Sequence, residues 1–187
     1  MCKSILAGDK TVGNSFDISK LIEERRSVRS YRKDPLGETD VRGILSAGRW
    51  SPSPSNVQSW RFGVITDEDG LLTLVKNLSP GFPNSAPLGF VVCSNSDELD
   101  DFSEEERVFL RSAEAAMATQ NMMLFAWSKG IGTCVVASFS RGGVSEALDL
   151  PDSIVPVLLI AAGYPKIVPE PPIRKDLEKI TFRGNYN

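Results

Sequence analysis

Histidine is absent from all 187 residues. Without it there is no Ser/His/Asp triad, no Cys/His dyad and no histidine-liganded zinc. Cysteine is scarce: Cys2, Cys93 and Cys134 are widely spaced and odd in number, which excludes a CxxC pair and a disulfide framework. Long apolar runs are missing too. The longest charge-free stretch, the 20 residues from Asn77 to Ser96, carries three prolines and seven Ser or Asn, so it cannot cross a bilayer and no membrane partner is expected. The net charge is −3, with none of the basic excess that nucleic-acid binding asks for. Met1 to Ser15 shows no apolar core of a secretory leader, and unpaired cysteines fit a reducing compartment, so the expected location is cytoplasmic. An enzyme of this composition has to rely on carboxylates, arginines, backbone groups or a borrowed cofactor. No metal site is expected.

A chain of this length can bury roughly 70% of its unfolded surface in one domain. Residues 1–16 form a small-residue lead-in, and 17–187 make the single domain. Asp17 is placed to cap a helix with Ile18, Leu21 and Ile22 on one face, and Thr39 to cap a second ending near Gly48. Residues 51–56, with two prolines and four small polar residues, are a loop. Alternation from Trp60 to Thr66 predicts a strand, and Leu71, Leu72, Val75 and Leu78 mark a short helix. Leu88–Cys93 and Val155–Gly163 are apolar throughout, as central strands are, and Thr133–Phe139 is a further strand. The seven acids between Asp97 and Glu106 are read as solvated surface. Ser103 and Glu106 form a capping box that opens a helix running to about Lys129, its inward face drawn through Phe109, Leu110, Ala113, Met117, Leu124 and Trp127. Ser140 caps a short helix. Helices and strands mix without strict alternation, so the fold class is α+β with a mixed central sheet flanked by helices and an extended C-terminal tail.

Three clusters stand out. Arg25-Arg26-Ser27-Val28-Arg29 sets three planar guanidiniums and a hydroxyl within five residues, suited to phosphate and carbonyl oxygens, or simply a solvated basic face. Asn56 and Gln58, two residues apart in a stiff loop, present the paired donors and acceptors that suit a heterocycle's edge, or satisfy their own backbone. Arg174-Lys175 follows prolines 169, 171 and 172 in a tail that must lean on something to be ordered. Gly130-Ile131-Gly132 lacks the third glycine of a dinucleotide fingerprint and follows a helix where that motif precedes one. Cys134 is read as a buried structural thiol, Glu114 as a surface acid, and Trp50, Trp60 and Trp127 as packing residues.

In this order the segments resemble the nitroreductase family of FMN-dependent flavoproteins. The resemblance rests on Arg25-Arg26-Ser27-Val28-Arg29-Ser30-Tyr31 and on Pro52-Ser53-Pro54-Ser55-Asn56-Val57-Gln58-Ser59-Trp60, where Ser59 replaces the usual proline. It continues through Gln120-Asn121, Gly130-Ile131-Gly132-Thr133-Cys134, Leu150-Pro151, Gly163-Tyr164-Pro165 and Arg174-Lys175-Asp176-Leu177-Glu178-Lys179-Ile180. It spans about residues 17 to 182, nearly the whole chain.

The resemblance implies a nitroreductase-like fold and a site shared between two copies of the chain. Arg25, Ser27, Arg174 and Lys175 would hold the FMN phosphate. Arg26 and Arg29 would face the ribityl chain and the pyrimidine, Arg29 near N1 and O2. Pro52, Ser53, Asn56 and Gln58 would come from the partner subunit of a homodimer, and Val136-Ala137-Ser138 would pass the ring beside N5. The implied activity passes electrons from NADH or NADPH, by a ping-pong mechanism, to a small electron-poor acceptor such as a nitroaromatic or quinone. The alternative is a flavin carrier or redox-sensing module without fast turnover.

Overall fold

The computed structural model describes residues 17–67 and 70–186, so the expected lead-in of residues 1–16 lies outside the described residues. Among the described residues five α-helices surround a four-stranded sheet: α1 (Ile18–Glu24), α2 (Glu38–Arg49), β1 (Trp60–Ile65), α3 (Leu71–Leu78), β2 (Leu88–Asn95), α4 (Glu104–Ser128), β3 (Gly132–Val136), α5 (Arg141–Ala147) and β4 (Ile154–Gly163). The strand order is β1-β2-β4-β3, with every neighbouring pair antiparallel. The parallel component is a single bridge from Ser27 to Thr133 on the outer edge of β3.

The two continuously apolar segments, β2 and β4, are the central strands, and the sheet is covered on both faces. Along β2, Leu88, Phe90 and Val92 face Val41 and Ile44 of α2 and Ala115, Met122 and Ala126 of α4. The alternate residues Val91 and Cys93 face Leu72 and Val75 of α3 and Val144 of α5. Period-two alternation against two helical layers explains why neither face of these strands can be polar.

The capping signals hold at three helices. The Asp17 carboxylate accepts from Ser19 and Lys20 N–H, Ser103 and Glu106 form the reciprocal capping box, and the Ser140 hydroxyl accepts from Gly143 N–H. Helix α2 instead starts after Gly37, which has no side-chain cap. Strand β3 stops at Val136, three residues before the expected end.

The inward face of α4 also differs. Glu114, Ala118, Met122 and Ala126, spaced four apart, are buried with Ala115, Thr119 and Met123. Phe109, expected inside, is 69% exposed. Small side chains let α4 lie close to the sheet and α2, so the bulky residues are turned outward. Trp50 is likewise 77% exposed. Among the described residues no helix is long and apolar enough to cross a membrane.

Candidate functional site

The arginine-rich segment leaves α1 at Arg25 and runs extended along the edge of β3. Val28 N–H donates to Thr133 O at 2.9 Å and Arg32 N–H to Tyr164 O at 2.8 Å. The buried Tyr31 hydroxyl donates to Val28 O at 2.6 Å and lies 3.3 Å from Ala161 O. Val28 is fully buried, so the side chains flanking it are thrown outward.

Two glycines of the Gly130–Cys134 run make this approach possible, for different reasons. Gly130 sits at φ +72°, the left-handed turn that ends α4. Gly132 lies under Val28, where a Cβ would be 2.7 Å from Val28 Cγ2.

The outward side chains build a cleft of about 250 Å³ lined by Arg25, Arg26, Ser27 and Arg29 together with Pro169, Glu170, Pro172 and Arg174 of the tail. Arg26 is tethered by its Nη1 donating to Glu23 O at 2.6 Å and Arg25 O at 2.9 Å. Arg29 Nη1 donates to Ser27 O at 3.3 Å. Four guanidiniums therefore share one cleft with the single carboxylate of Glu170. Arg25 is held below the ordinary arginine pKa by burial first, then by the positive charges of Arg174 and Arg26. A cleft so short of negative charge is complementary to a phosphate. Lys175 is next in the chain but does not line it. Cys134 is buried beneath; burial pushes its thiol up in pKa, against the pull of Arg29 and Arg25, as befits a structural thiol.

A larger open groove of about 1090 Å³ lies elsewhere, lined in part by Arg32, Lys33, Lys76, Lys166 and Asp67. It contains none of the predicted site residues, and size does not outrank the converging donors of the smaller cleft.

The amide loop is at the other side of the molecule. Pro52, Asn56 and Gln58 are exposed and Ser53 is half-buried. Ser55, Asn56 and Gln58 all adopt positive φ, at 48°, 59° and 56°. The Ser53 hydroxyl accepts from Gln58 N–H at 3.1 Å, and Gln58 Nε2 donates to Asn56 O at 3.2 Å. Beyond it, Ser59 N–H and hydroxyl both donate to Glu114 Oε2, at 3.2 and 2.8 Å.

Glu114, read from sequence as a surface acid, is only 1% exposed. Burial raises its pKa, the two Ser59 hydrogen bonds oppose the rise, and the Glu98 charge adds to it. Its place four residues before Ala118 and eight before Met122 was the signal available in the sequence. Val136 is buried at the end of β3, while Ala137 and Ser138 are exposed just beyond.

Sheet geometry separates the two groups. Trp60 pairs with Ser94, and Ser94 with Val155, whereas Thr133 pairs with Ala162. The loop before Trp60 and the segment at Ser27 thus lie at diagonal corners: four strand spacings, about 19 Å, across and about 23 Å along, roughly 30 Å in all. One protomer cannot set both on the same small ligand.

Comparison with known proteins gives a consistent result. The sequence profile of the Nitroreductase family matches residues 22–80 and 74–164. An Archaeoglobus fulgidus protein provisionally named NADH dehydrogenase/NAD(P)H nitroreductase is 31% identical over 157 residues, covering 79% of this chain and 84% of its own. A Bacillus subtilis protein named FMN reductase (NADPH) is 22% identical over 182 residues, 89% of this chain and 73% of its own. Among solved structures, a nitroreductase family protein of Streptococcus pneumoniae TIGR4 superposes with a TM-score of 0.84 at 20% identity, covering 90% of this chain and all of that one, a likeness of fold.

Proposed function

Because the chain belongs to the nitroreductase family of oxidoreductases, we propose that it is an FMN-dependent enzyme of the cytoplasm. On this reading it takes electrons from NADH or NADPH and passes them, in ping-pong order, to a small electron-poor acceptor such as a nitroaromatic or quinone. The observation that carries the reading is the cleft where Arg25, Arg26, Ser27, Arg29 and Arg174 converge against one carboxylate.

The donor set fits FMN. Arg25, Ser27 and Arg174, with Lys175 beside them, would hold the phosphate, and Arg26 and Arg29 the ribityl and pyrimidine side. FMN, when bound, supplies the hydride chemistry, and the protein's part is binding, orientation and electrostatics. Arg29 would set its guanidinium where negative charge would develop on a reduced flavin ring, a task that needs no histidine.

The diagonal separation of cradle and amide loop argues for two copies per site, with Pro52, Ser53, Asn56 and Gln58 reaching the flavin held by the partner's cradle. Val136, Ala137 and Ser138 would pass the ring beside N5. The exposed apolar residues Phe109, Trp50, Ile173, Leu177, Ile180 and Phe182 give such a dimer material to bury.

The test is direct. Purified protein supplied with FMN should stay yellow after gel filtration, elute as a dimer and bleach anaerobically with NADH or NADPH. Failure to retain FMN would overturn the reading. Bound FMN that neither nicotinamide reduces within minutes would leave flavin carriage in its place.

A further inference from the structure

The strained amide loop ends on a buried carboxyl that the proposed chemistry does not use. Three non-glycine residues in the left-handed region within four positions are costly, and such a conformation persists only where its neighbours over-determine it. Inside the loop, the bonds from Gln58 to Ser53 and Asn56 are exposed, where water competes. The buried constraint is Ser59, which is fully enclosed and held from two sides. Its carbonyl accepts from Asn95 N–H at 2.7 Å. Its N–H and hydroxyl both converge on Glu114 Oε2, and its hydroxyl lies 3.1 Å from that of Ser94. Among the described residues Glu114 Oε1 has no partner, so the carboxyl is turned to Ser59. Both bonds to Glu114 are buried, and in a low local dielectric a hydrogen bond is stronger than in water.

We propose that Glu114 is a positioning residue: through Ser59 it fixes the loop so that Asn56 and Gln58 meet the pyrimidine edge of a flavin held by the partner subunit. The inference rests on the flavin reading above. It assigns a use to the serine at 59, because a proline there offers neither donor. Glu114 touches no reacting atom on this account.

The two regions of the site make the proposal separable. The arginine cradle addresses the phosphate, the loop addresses the ring. FMN and riboflavin affinities, measured by flavin fluorescence quenching, therefore report on each. In Glu114→Ala, FMN and riboflavin should weaken by the same factor, about tenfold, with their affinity ratio unchanged because the cradle is intact. Glu114→Gln, whose amide oxygen can accept the same two bonds, should recover to within about threefold of the parent. Ser59→Pro should behave like Glu114→Ala. Arg174→Ala should do the opposite, weakening FMN and sparing riboflavin. If Glu114→Ala does not fold, Ser59→Ala removes one of the two donors and should cost about threefold for both flavins.

Unchanged riboflavin affinity in Glu114→Ala and Ser59→Ala would overturn the proposal. So would a fall in the FMN-to-riboflavin ratio, which marks general loosening, or failure of Glu114→Gln to recover. A parent protein that binds neither flavin would overturn the flavin reading and this inference with it.

Discussion

Gly132→Ala tests whether packing against β3 is what shapes the arginine cradle. The added Cβ would lie 2.7 Å from Val28 Cγ2, 2.8 Å from Val28 Cβ and 3.0 Å from Pro165 Cγ. Carbon atoms settle at about 3.5 Å or more, so the Val28 strand has to retreat by about 0.8 Å. Val28 is fully buried and cannot rotate out of the way. Its N–H bond to Thr133 O, 2.9 Å long, would open to about 3.7 Å and be lost. Overpacking costs about 1–3 kcal/mol and the lost bond about 1 kcal/mol, so a destabilisation of about 2–4 kcal/mol is expected. Arg25, Ser27 and Arg29 move with that strand, and FMN should bind about tenfold more weakly, equivalent to one charge-assisted hydrogen bond. Urea unfolding reads the first quantity and fluorescence quenching the second. Gly130→Ala is the control. Its Cβ would meet nothing within 4 Å, but its φ of +72° is left-handed, so it should lose about 1–2 kcal/mol and keep its FMN affinity. If Gly132→Ala is no less stable than Gly130→Ala and binds FMN like the parent, the cradle is shaped by something other than this contact.

Arg29→Ala should lower the midpoint potential of bound FMN by about 30 mV, the two-electron equivalent of a tenfold change in equilibrium; an unchanged potential in spectroelectrochemical titration would remove Arg29 from the ring. Deleting residues 173–187 takes away Arg174 and Lys175 together with the exposed Ile173, Leu177, Ile180 and Phe182, so sedimentation should show dimer dissociation and the protein should release its flavin; an intact dimer would rule out a structural role for the tail. Burial raises the pKa of Glu114 in the folded state. A carboxyl shifted this way favours folding below its unfolded pKa, and that contribution disappears as pH rises through the folded value. The parent should therefore lose stability relative to Glu114→Gln between about pH 4 and the folded pKa, and urea midpoints that move the other way would show that the Ser59 bonds outweigh burial. Burial pushes the Cys93 thiol up to about 12, and a maleimide should leave Cys93 unlabelled at pH 7 until urea unfolds the protein; labelling in the native protein, read by peptide mass, would contradict the buried assignment.

Much of the fold was legible because its signals are local. Asp17, Ser103 with Glu106, and Ser140 bond backbone N–H groups two or three residues away, so their patterns need no tertiary knowledge. Leu88–Cys93 and Val155–Gly163 announced themselves as central strands because both faces of each had to be apolar. The face of α4 was misread for the complementary reason. Side-chain size suggested that Phe109 and Met117 point inward, but close packing on the sheet and α2 favours small residues. Trp50 was misplaced on the same grounds. Glu114 was misjudged because a carboxylate is usually solvated, and its exception depends on two donors supplied 55 positions earlier in the chain.

The sequence by itself determined that no histidine chemistry was available, which segments carried guanidiniums and amides, and where the helices and central strands lie, since composition and short-range hydrogen bonding decide these. Tertiary structure alone decided that Arg25–Arg29 and Arg174 enclose one cleft while Asn56 and Gln58 lie roughly 30 Å away at the opposite corner of the sheet. That separation is set by strand order and register, which arise from pairings between residues far apart in the chain and are written in no local pattern. It is also what turns a chain long enough to make one domain into half of a proposed active site.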